Sequence, residues 1–380
     1  MWSYVPLEKV ANICDGLRKP VNSKERAKRI EGKLNKSLFP YYGATGQVGY
    51  IDDYLTDGEY VLLGEDGAPF LNPFASKAYI ISGKAWVNNH AHILQSKSNN
   101  KFLCYYLNYF DYNGYVSGTT RLKLTQAQLK RIEIPDVSKD EQQRIVFRIE
   151  ELFSELDKGV ETLQTIKEQL AVYRQAVLKE AFEPITQYIP FENCMDSRLG
   201  KMLDKEKNTG TFRKYLRNVN VRWFSFDLSD LFEMRIEDSE IEKYTISYGD
   251  LVICEGGEPG RCSVWTKDKT ICYQKALHRV RFTDGSNPYF YMYYLWFAAQ
   301  IGKLTEYYTG TGIKHLTGQS LIKIPVPTTT RATQDKIVEI IESRLSVCDS
   351  IERTVDTALA QAEAMRQSIL KKAFEGELCK

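Results

Sequence analysis

Apolar residues recur every seven positions over two long stretches of the chain. In the first stretch, one column runs from Ile145 to Tyr173 and a second from Ile149 to Val177, interleaved by four and three residues. This spacing is typical of a coiled-coil seam. The alternative to a coiled coil is that each stretch is a core helix inside a helix bundle. Neither stretch contains proline, and Pro184 follows the first, so the pattern predicts two long helices. The predicted helices cover residues 138–183 and 329–380, with seam residues Ile149, Leu156, Leu163, Leu170, Ile341, Ile351 and Val355.

The second stretch repeats the first at an offset of 192 residues. Residues 142–183 and 334–375 share 17 identities in 42 positions without a gap. The same offset places Leu124 on Leu316, and the likeness continues upstream with shifted offsets. Each half is therefore a divergent globular part followed by a better-preserved helix. The predicted globular domains cover residues 1–137 and 184–328.

Each globular part mixes short strand-like runs, glycine turns and a tyrosine-rich helix. Residues 59–63 and 250–254 are the clearest strands. The first long helix must carry the chain from one globular part to the other, and the second is free to return along it. The predicted fold is therefore α+β: two α/β domains with approximate two-fold symmetry, joined by two long antiparallel coiled-coil helices.

Composition excludes several classes of protein. Lys and Arg (51) nearly balance Asp and Glu (49), although bases outnumber acids by 17 to 13 in residues 1–137 and by 19 to 17 in residues 184–328. No apolar run has membrane-spanning length, and the first residues lack the form of a signal peptide. Eight scattered cysteines without a C-x-x-C pair fit free thiols better than disulfides or a zinc site. A cytoplasmic protein is expected.

Basic and amide side chains cluster in the predicted turns of both globular parts. Such residues read base edges, while Ser, Thr and Tyr contact phosphates. A solvated surface is the alternative for any single residue. The loop before the last strand is the best candidate, because a basic pair recurs there: Arg121 with Lys123, and Lys314 with His315. The predicted DNA-contacting residues are Arg18, Lys19, Tyr42, Thr45, Gln47, Arg121, Lys123, Arg217, Asn218, Asn220, Arg222, Arg261, Lys275, Lys314 and His315.

Motifs for catalysis are weak. Asn287-Pro288-Tyr289-Phe290 is one proline short of the motif with which adenine N6-methyltransferases hold the target amine, and a turn capping the tyrosine-rich helix is the better interpretation. The glycines of residues 43–49 have neither dinucleotide-binding spacing nor a following Walker lysine. The carboxylates of Glu65-Asp66 and of Glu255 with Glu258 could serve acid–base chemistry or a metal, but no Glu-x-Lys nuclease arrangement accompanies them.

Histidine placement also argues against a metal site. His90, His92 and His278 lie on or beside predicted strands without Cys or acidic residues at metal-ligand spacing. A polar or DNA-facing role is favoured for them. The sequence predicts no catalytic residue and no metal site.

The duplicated chain resembles the specificity (S) subunit of type I restriction–modification systems. The resemblance covers nearly the whole chain, and its strings occur in order and twice. The strings similar to a first recognition domain are residues 39–46, 49–54 and 63–67; those similar to a second are residues 198–204, 215–221 and 254–261; those similar to the helical repeats are Ile134-Pro135 with residues 141–145, and residues 178–182.

The resemblance implies a non-catalytic, DNA-binding subunit. Each recognition domain would read one half of a bipartite DNA site, and the helices would set the gap and dock two modification (methyltransferase) subunits. Those partners would bring S-adenosylmethionine and methylate adenine N6; with restriction subunits, the complex would cleave DNA using ATP and Mg. No cofactor is expected on this chain. A DNA-binding structural or regulatory protein working without a methyltransferase is the alternative class.

Overall fold

The computed structural model describes residues 2–204, 206 and 208–378. The chain forms two compact units: unit 1 contains residues 1–165 and 355–380, and unit 2 contains residues 166–354. Two helices of 44 residues, Lys139–Phe182 and Arg331–Phe374, each contribute to both units. Among the described helices, none is both long and apolar enough to cross a bilayer.

The elements of unit 1 are β1 (Ser3–Pro6), α1 (Leu7–Val10), β2 (Ala11–Ile13), α2 (Ser23–Ile30), β3 (Phe39–Gly43), β4 (Gly46–Ile51), β5 (Thr56–Gly64), β6 (Ala78–Val87), β7 (Ala91–Ser96), α3 (Asn100–Tyr109), α4 (Gln126–Lys130), β8 (Glu133–Asp136) and the first part of α5 (Lys139–Phe182), with 3₁₀ turns at Asp15–Leu17 and Asn35–Ser37. Six of the strands form a sheet of order β2-β7-β5-β6-β3-β4, in which only the β3–β6 pair is parallel. The central strand β5 ends in Val61-Leu62-Leu63-Gly64, which are all buried.

The core of unit 1 includes the end of the second long helix. Helix α3 begins at the Asn99 cap, whose side chain accepts a hydrogen bond from the amide of Phe102 (3.1 Å). The ring of Phe374 packs edge-on against Phe102 and Tyr106, with ring centroids 5.4 and 5.1 Å apart. This aromatic packing fixes the far end of the repeat on the first globular part.

Unit 2 contains two four-stranded sheets, of order β10-β19-β16-β17 and β14-β11-β18-β15. Asn287 caps the tyrosine-rich helix α6 by accepting a hydrogen bond from the amide of Tyr289 (2.9 Å), which confirms the predicted cap. The elements of unit 2 are β9 (Tyr188–Pro190), β10 (Met195–Leu199), β11 (Thr211–Leu216), β12 (Val221–Arg222), β13 (Ser225–Phe226), β14 (Phe232–Ile236), β15 (Thr245–Ile246), β16 (Leu251–Cys254), β17 (Cys262–Val264), β18 (Ile271–Tyr273), β19 (Leu277–Phe282), α6 (Pro288–Gln300), α7 (Gly318–Leu321), β20 (Pro325–Pro327) and the first part of α8 (Arg331–Phe374).

Within each unit the segments of the two long helices run antiparallel. In unit 2, Arg174 of α5 donates hydrogen bonds of 2.7 Å to Asp349 and Glu352 of α8, and Arg344 of α8 pairs with Glu180 of α5. Residue numbers therefore fall along α8 as they rise along α5. In unit 1, Arg366 of α8 pairs with Asp157 of α5. The predicted α+β class with two helix-joined domains is confirmed.

One heptad column of α8 is buried along its whole length. It comprises Ile341, Cys348, Val355, Ala362 and Ile369, spaced by seven residues. The other predicted column, which runs from Ile145 to Tyr173 in α5, is only partly buried: Ile145 is buried, whereas Tyr173 of α5 and Ile351 and Met365 of α8 are exposed. A seam of two helices covers a narrow stripe, so side chains at the edge of that stripe face solvent.

Candidate nucleic-acid interface

Two loops, one in each unit, are closed by the same pair of backbone hydrogen bonds. In the first basic loop (residues 117–123), the amides of Ser117 and Lys123 donate to each other's carbonyls at 3.0 and 2.8 Å. In the second basic loop (residues 309–315), the amides of Thr309 and His315 do the same at 2.8 and 2.9 Å. The two loops therefore share one conformation and carry different side chains.

Glycine is required at the second position of each loop. Gly118 has φ +111° and Gly310 has φ +93°, in the region that other residues rarely adopt. A Cβ on Gly118 would lie 2.4 Å from the carbonyl oxygen of Arg121, and a Cβ on Gly310 would lie 2.3 Å from that of Ile313. The tight turn thus depends on the absence of a side chain.

The residue after each loop is held by two hydrogen bonds that are equivalent in the two units. The amide of Leu124 donates to the carbonyl of Glu65, and the amide of Leu316 donates to that of Glu255, both at 2.7 Å. The carbonyls of Leu124 and Leu316 accept from the Nε2 atoms of His92 and His278, both at 2.9 Å. Both leucines are fully buried, so each loop projects from a fixed point.

The basic side chains of the first loop are exposed and face carboxylates. The guanidinium of Arg121 lies 2.5 Å from Asp66, and the ammonium of Lys123 lies 3.2 Å from Glu65. Exposed ion pairs of this kind are weak, typically below about 1 kcal/mol. A phosphate could therefore compete with the carboxylates for both cations.

The other predicted residues of unit 1 divide into two groups. Arg18 is half-buried and pairs with Glu65, while its guanidinium donates to the carbonyl of Ala91 at 3.2 Å. Lys19, Thr45 and Gln47 are exposed, and Tyr42 is half-buried. The turn containing Thr45 approaches the loop base, because the carbonyl oxygen of Ala44 would lie 3.1 Å from a Cβ on Gly64.

In unit 2, three predicted residues come together around Gly256 and Gly257. A Cβ on Gly256 would lie 3.1 Å from Nδ1 of His315, and one on Gly257 would lie 3.0 Å from the side-chain nitrogen of Asn218. Arg261 donates to the carbonyl of Asn218 at 3.0 Å. Lys314 is exposed on the same loop, and its ammonium donates to the loop's own Gly310 carbonyl at 3.0 Å.

The remaining predicted residues of unit 2 lie in different settings. Asn220 is buried, accepts from the amide of Arg217 (2.9 Å) and donates to two backbone carbonyls, so it shapes a turn. Arg217 stacks on the ring of Phe232 at 3.6 Å and pairs with Asp230. Arg222 and Lys275 are exposed. Their contacts with DNA, like those of the other predicted residues, stay a prediction.

Sequence reasoning missed the function of the two buried histidines. The DNA-facing interpretation of His92 and His278 is wrong, because both are buried polar side chains that hold the loop bases. Burial lowers the pKa of His278. Burial alone would raise the pKa of Asp15, but its hydrogen bond to His92 and the attraction between the two groups lower it. The repeat gave no signal for this role, because the histidine precedes the repeated leucine by 32 residues in unit 1 and by 38 residues in unit 2.

The predicted subunit-binding residues also differ in burial. Ile149, Leu170, Ile341 and Val355 are buried within the chain's own helices, whereas Leu156 and Leu163 are half-buried. Ile351 is exposed, as are other apolar side chains of the long helices. These exposed side chains are Phe147, Val172, Tyr173, Ile340, Val347 and Met365.

Among the described residues, no three or more His, Cys, Asp or Glu side chains are placed to hold a metal ion. The seven cysteines of the described residues are free thiols. The eighth, Cys379, lies outside the described residues.

Comparison with known proteins gives one consistent result. The family model described as Type I restriction modification DNA specificity domain matches residues 1–171 and 192–361. A chain of Haemophilus influenzae that carries the name type I restriction enzyme specificity subunit S.HindORF215P is 27% identical over 374 residues, covering 95% of this chain and 92% of that protein.

Solved structures share the fold. A chain from a structure concerned with complex assembly and conformational transition of the type I R-M system aligns with TM-score 0.73 and 14% identity, over 99% of this chain and 98% of that one. The HsdS subunit from Thermoanaerobacter tengcongensis aligns with TM-score 0.57 and 15% identity, over 99% and 97%. At such identities the likeness concerns the fold alone.

Proposed function

Because the chain belongs to the type I restriction modification DNA specificity family, and is a specificity subunit by that membership, we propose that its two units each read one half of a bipartite DNA site. The family is non-catalytic, and the chain's role is recognition. The modification subunits that it directs would carry S-adenosylmethionine and methylate adenine N6. Restriction subunits, where they join, would use ATP and Mg to cleave DNA.

The observation that carries this proposal is the pair of basic loops. They have the same closing hydrogen bonds, the same glycine and the same anchor, yet Arg121 and Lys123 in one correspond to Ile313 and His315 in the other. A shared frame with different side chains fits one task performed on two different sequences. Direct readout depends on the donors and acceptors that each frame presents to base edges.

The surroundings of the two loops differ in charge as well. Glu65 and Asp66 flank the first loop, whereas Gly256 takes the place of the second acid beside the second loop. Asp66 competes with a DNA phosphate for the guanidinium of Arg121. The second loop offers His315 and Lys314 without that competition.

The long helices supply the docking surface in this proposal. Their buried column holds the chain's own helices together, and apolar side chains such as Val347 and Ile351 are left facing solvent. Exposed apolar side chains on a stable helix favour contact with another protein. Two methyltransferase subunits are the proposed partners, and the helices would set the gap between the half-sites.

A single-molecule methylome tests this proposal. Cells expressing this chain with the methyltransferase encoded beside it would be compared with cells lacking this chain alone. We expect N6-methyladenine in one split motif with a fixed gap, and its loss without this chain. Unchanged methylation would contradict the proposal and favour a DNA-binding protein that works without a methyltransferase.

A further inference from the structure

The anchor of the first basic loop has a feature that the second lacks. In unit 1, Nε2 of His92 faces the carbonyl oxygen of Leu124 at 2.9 Å, and Nδ1 faces the carboxylate of Asp15 at 2.8 Å. Both partners are oxygen acceptors. The imidazole can donate to both only when both of its nitrogens carry a proton.

The backbone register explains why unit 2 differs. Strand β10 pairs Leu199 with His278, and in unit 1 the pairing of Ile13 with Leu94, continued by two residues, sets Asp15 opposite His92. An apolar residue therefore stands in unit 2 where unit 1 has a carboxylate. His278 needs only the Nε2 proton for its bond to Leu316, and burial, by lowering its pKa, favours that neutral form.

We propose that His92 is a positioning residue for DNA recognition by unit 1, acting as an imidazolium clamped between Asp15 and the carbonyl of Leu124. His278 performs the same positioning in unit 2 as a neutral imidazole. This inference rests on the proposed function, because the positioned loop must be the one that reads DNA. Recognition by unit 1 is then linked to a proton, and it weakens as pH rises and the imidazolium is lost.

The charged groups around His92 include carboxylates, which favour its imidazolium form, and cations, which oppose it. Besides Asp15, the carboxylate of Glu65 lies 3.9 Å from Nδ1. Arg18 pairs with both of these acids, and Lys123 lies 3.2 Å from Glu65. Gln126 donates to Asp15 at 3.1 Å. Around His278, the acidic neighbour is Glu255, which partly opposes the effect of burial.

The test uses the purified complex of the full chain with its methyltransferase subunits. The probes are labelled duplexes carrying the split motif found by the methylome, intact or with one half-site scrambled. The half-site of unit 1 is the one whose recognition Arg121→Ala removes. Discrimination for that half-site, as a ratio of Kd values, is measured from about pH 6 to about pH 9.

For the unaltered complex, discrimination at the unit 1 half-site should fall on the order of tenfold across this range, which is the scale of one charge-assisted hydrogen bond. Asp15→Asn should flatten the pH profile, with a lower discrimination at acidic pH than the unaltered complex because the ion pair with Arg18 is lost. The introduced amide can donate to a neutral Nδ1 while Nε2 still donates to Leu124, so no additional proton is needed. His92→Ala should abolish discrimination at that half-site at every pH and preserve the other half-site.

His90 is the matched control, because its imidazole lies beside the same loop, 3.0 Å from Asp66. His90→Gln should retain the slope of the unaltered complex. A wild-type slope in Asp15→Asn, or a flat profile in His90→Gln, would overturn the inference. If the unaltered complex methylates no split motif, the proposed function itself fails, which is a separate result.

Discussion

Arg121 and Asp66 face each other beside the first basic loop, with the guanidinium 2.5 Å from the carboxylate. The position that corresponds to Asp66 in unit 2 is Gly256, which packs against His315. The first loop therefore binds its own anion when DNA is absent, whereas Lys314 and His315 of the second loop form no ion pair with the described residues. This difference makes the free state of the two loops electrostatically unequal.

Asp66→Asn should strengthen DNA binding by the complex roughly two- to fivefold. The exposed ion pair between Arg121 and Asp66 contributes little to stability, and without it the guanidinium is free to bind a DNA phosphate. Kd values measured against salt concentration check this expectation. Asp57→Asn, an exposed acid of the same unit, removes the same charge elsewhere and should have a smaller effect. Equal effects of Asp66→Asn and Asp57→Asn would indicate that DNA binding responds to net charge and not to the ion pair with Arg121.

Replacing the two basic groups of one loop should damage one half-site only. Arg121→Ala with Lys123→Ala should reduce discrimination at the unit 1 half-site roughly tenfold or more, which is the scale of one base contact. Lys314→Ala with His315→Ala should do the same at the other half-site. Methylomes of the two variants provide the comparison. Loss of both half-sites together would contradict the assignment of one half-site to each unit.

Gly310→Ala should distort the second loop, since the added Cβ would meet the carbonyl oxygen of Ile313 and φ is positive. We expect loss of recognition at the unit 2 half-site with an unchanged melting temperature. Gly312→Ala is the control in the same loop, because nothing lies within 4 Å of its Cβ position. Similar losses in both variants would show that the tight turn is not essential.

Ile341→Ala should destabilise the chain by about 2–5 kcal/mol, because the side chain is fully buried in the seam of unit 2. Val347→Ala, on the exposed side of the same helix, should change stability by less than about 0.5 kcal/mol. Urea unfolding of the two variants measures the difference. A small effect of Ile341→Ala would mean that the helix pair contributes little to folding.

Val347→Asp with Ile351→Asp should weaken assembly with the methyltransferase while leaving the chain folded, because both side chains are exposed. Leu156→Asp with Leu163→Asp should also break the assembly, through the half-buried seam. Light scattering reports the mass of the complex, and circular dichroism reports the fold. Ser346→Asp, at another exposed position of α8, is the control. A complex of full mass in both double variants would argue against docking on these helices.

Unit 2 should lose stability on acidification through its buried histidine. The pKa of His278 is lowered by burial, so the unfolded chain takes up a proton that the folded unit resists. The contribution is fully present above the ordinary histidine range and is lost as pH falls below about 6.5. Hydrogen exchange of residues 309–316 should accelerate there. The same acidification of His278→Gln should produce a smaller change.

The large-scale organisation could be predicted from the amino-acid pattern alone. The heptad columns predicted both long helices, because an apolar repeat sustained over five heptads is the pattern of a coiled-coil helix. The offset of 192 residues paired Leu124 with Leu316 and located both basic loops. Local signals also sufficed for Asn287, whose capping role follows from Asn-Pro at the start of an apolar helix.

Which side chains are free to contact DNA depends instead on how the chain folds. Asn220 and Arg18 satisfied the same compositional rule as Arg121, but in the fold the Asn220 side chain bonds a turn and Arg18 pairs with half-buried carboxylates. His92 acquires its second acceptor because β2 brings Asp15 from 77 residues away. Spacing along a chain fixes local geometry, whereas burial and hydrogen-bond partners depend on which distant segments the sheet places side by side.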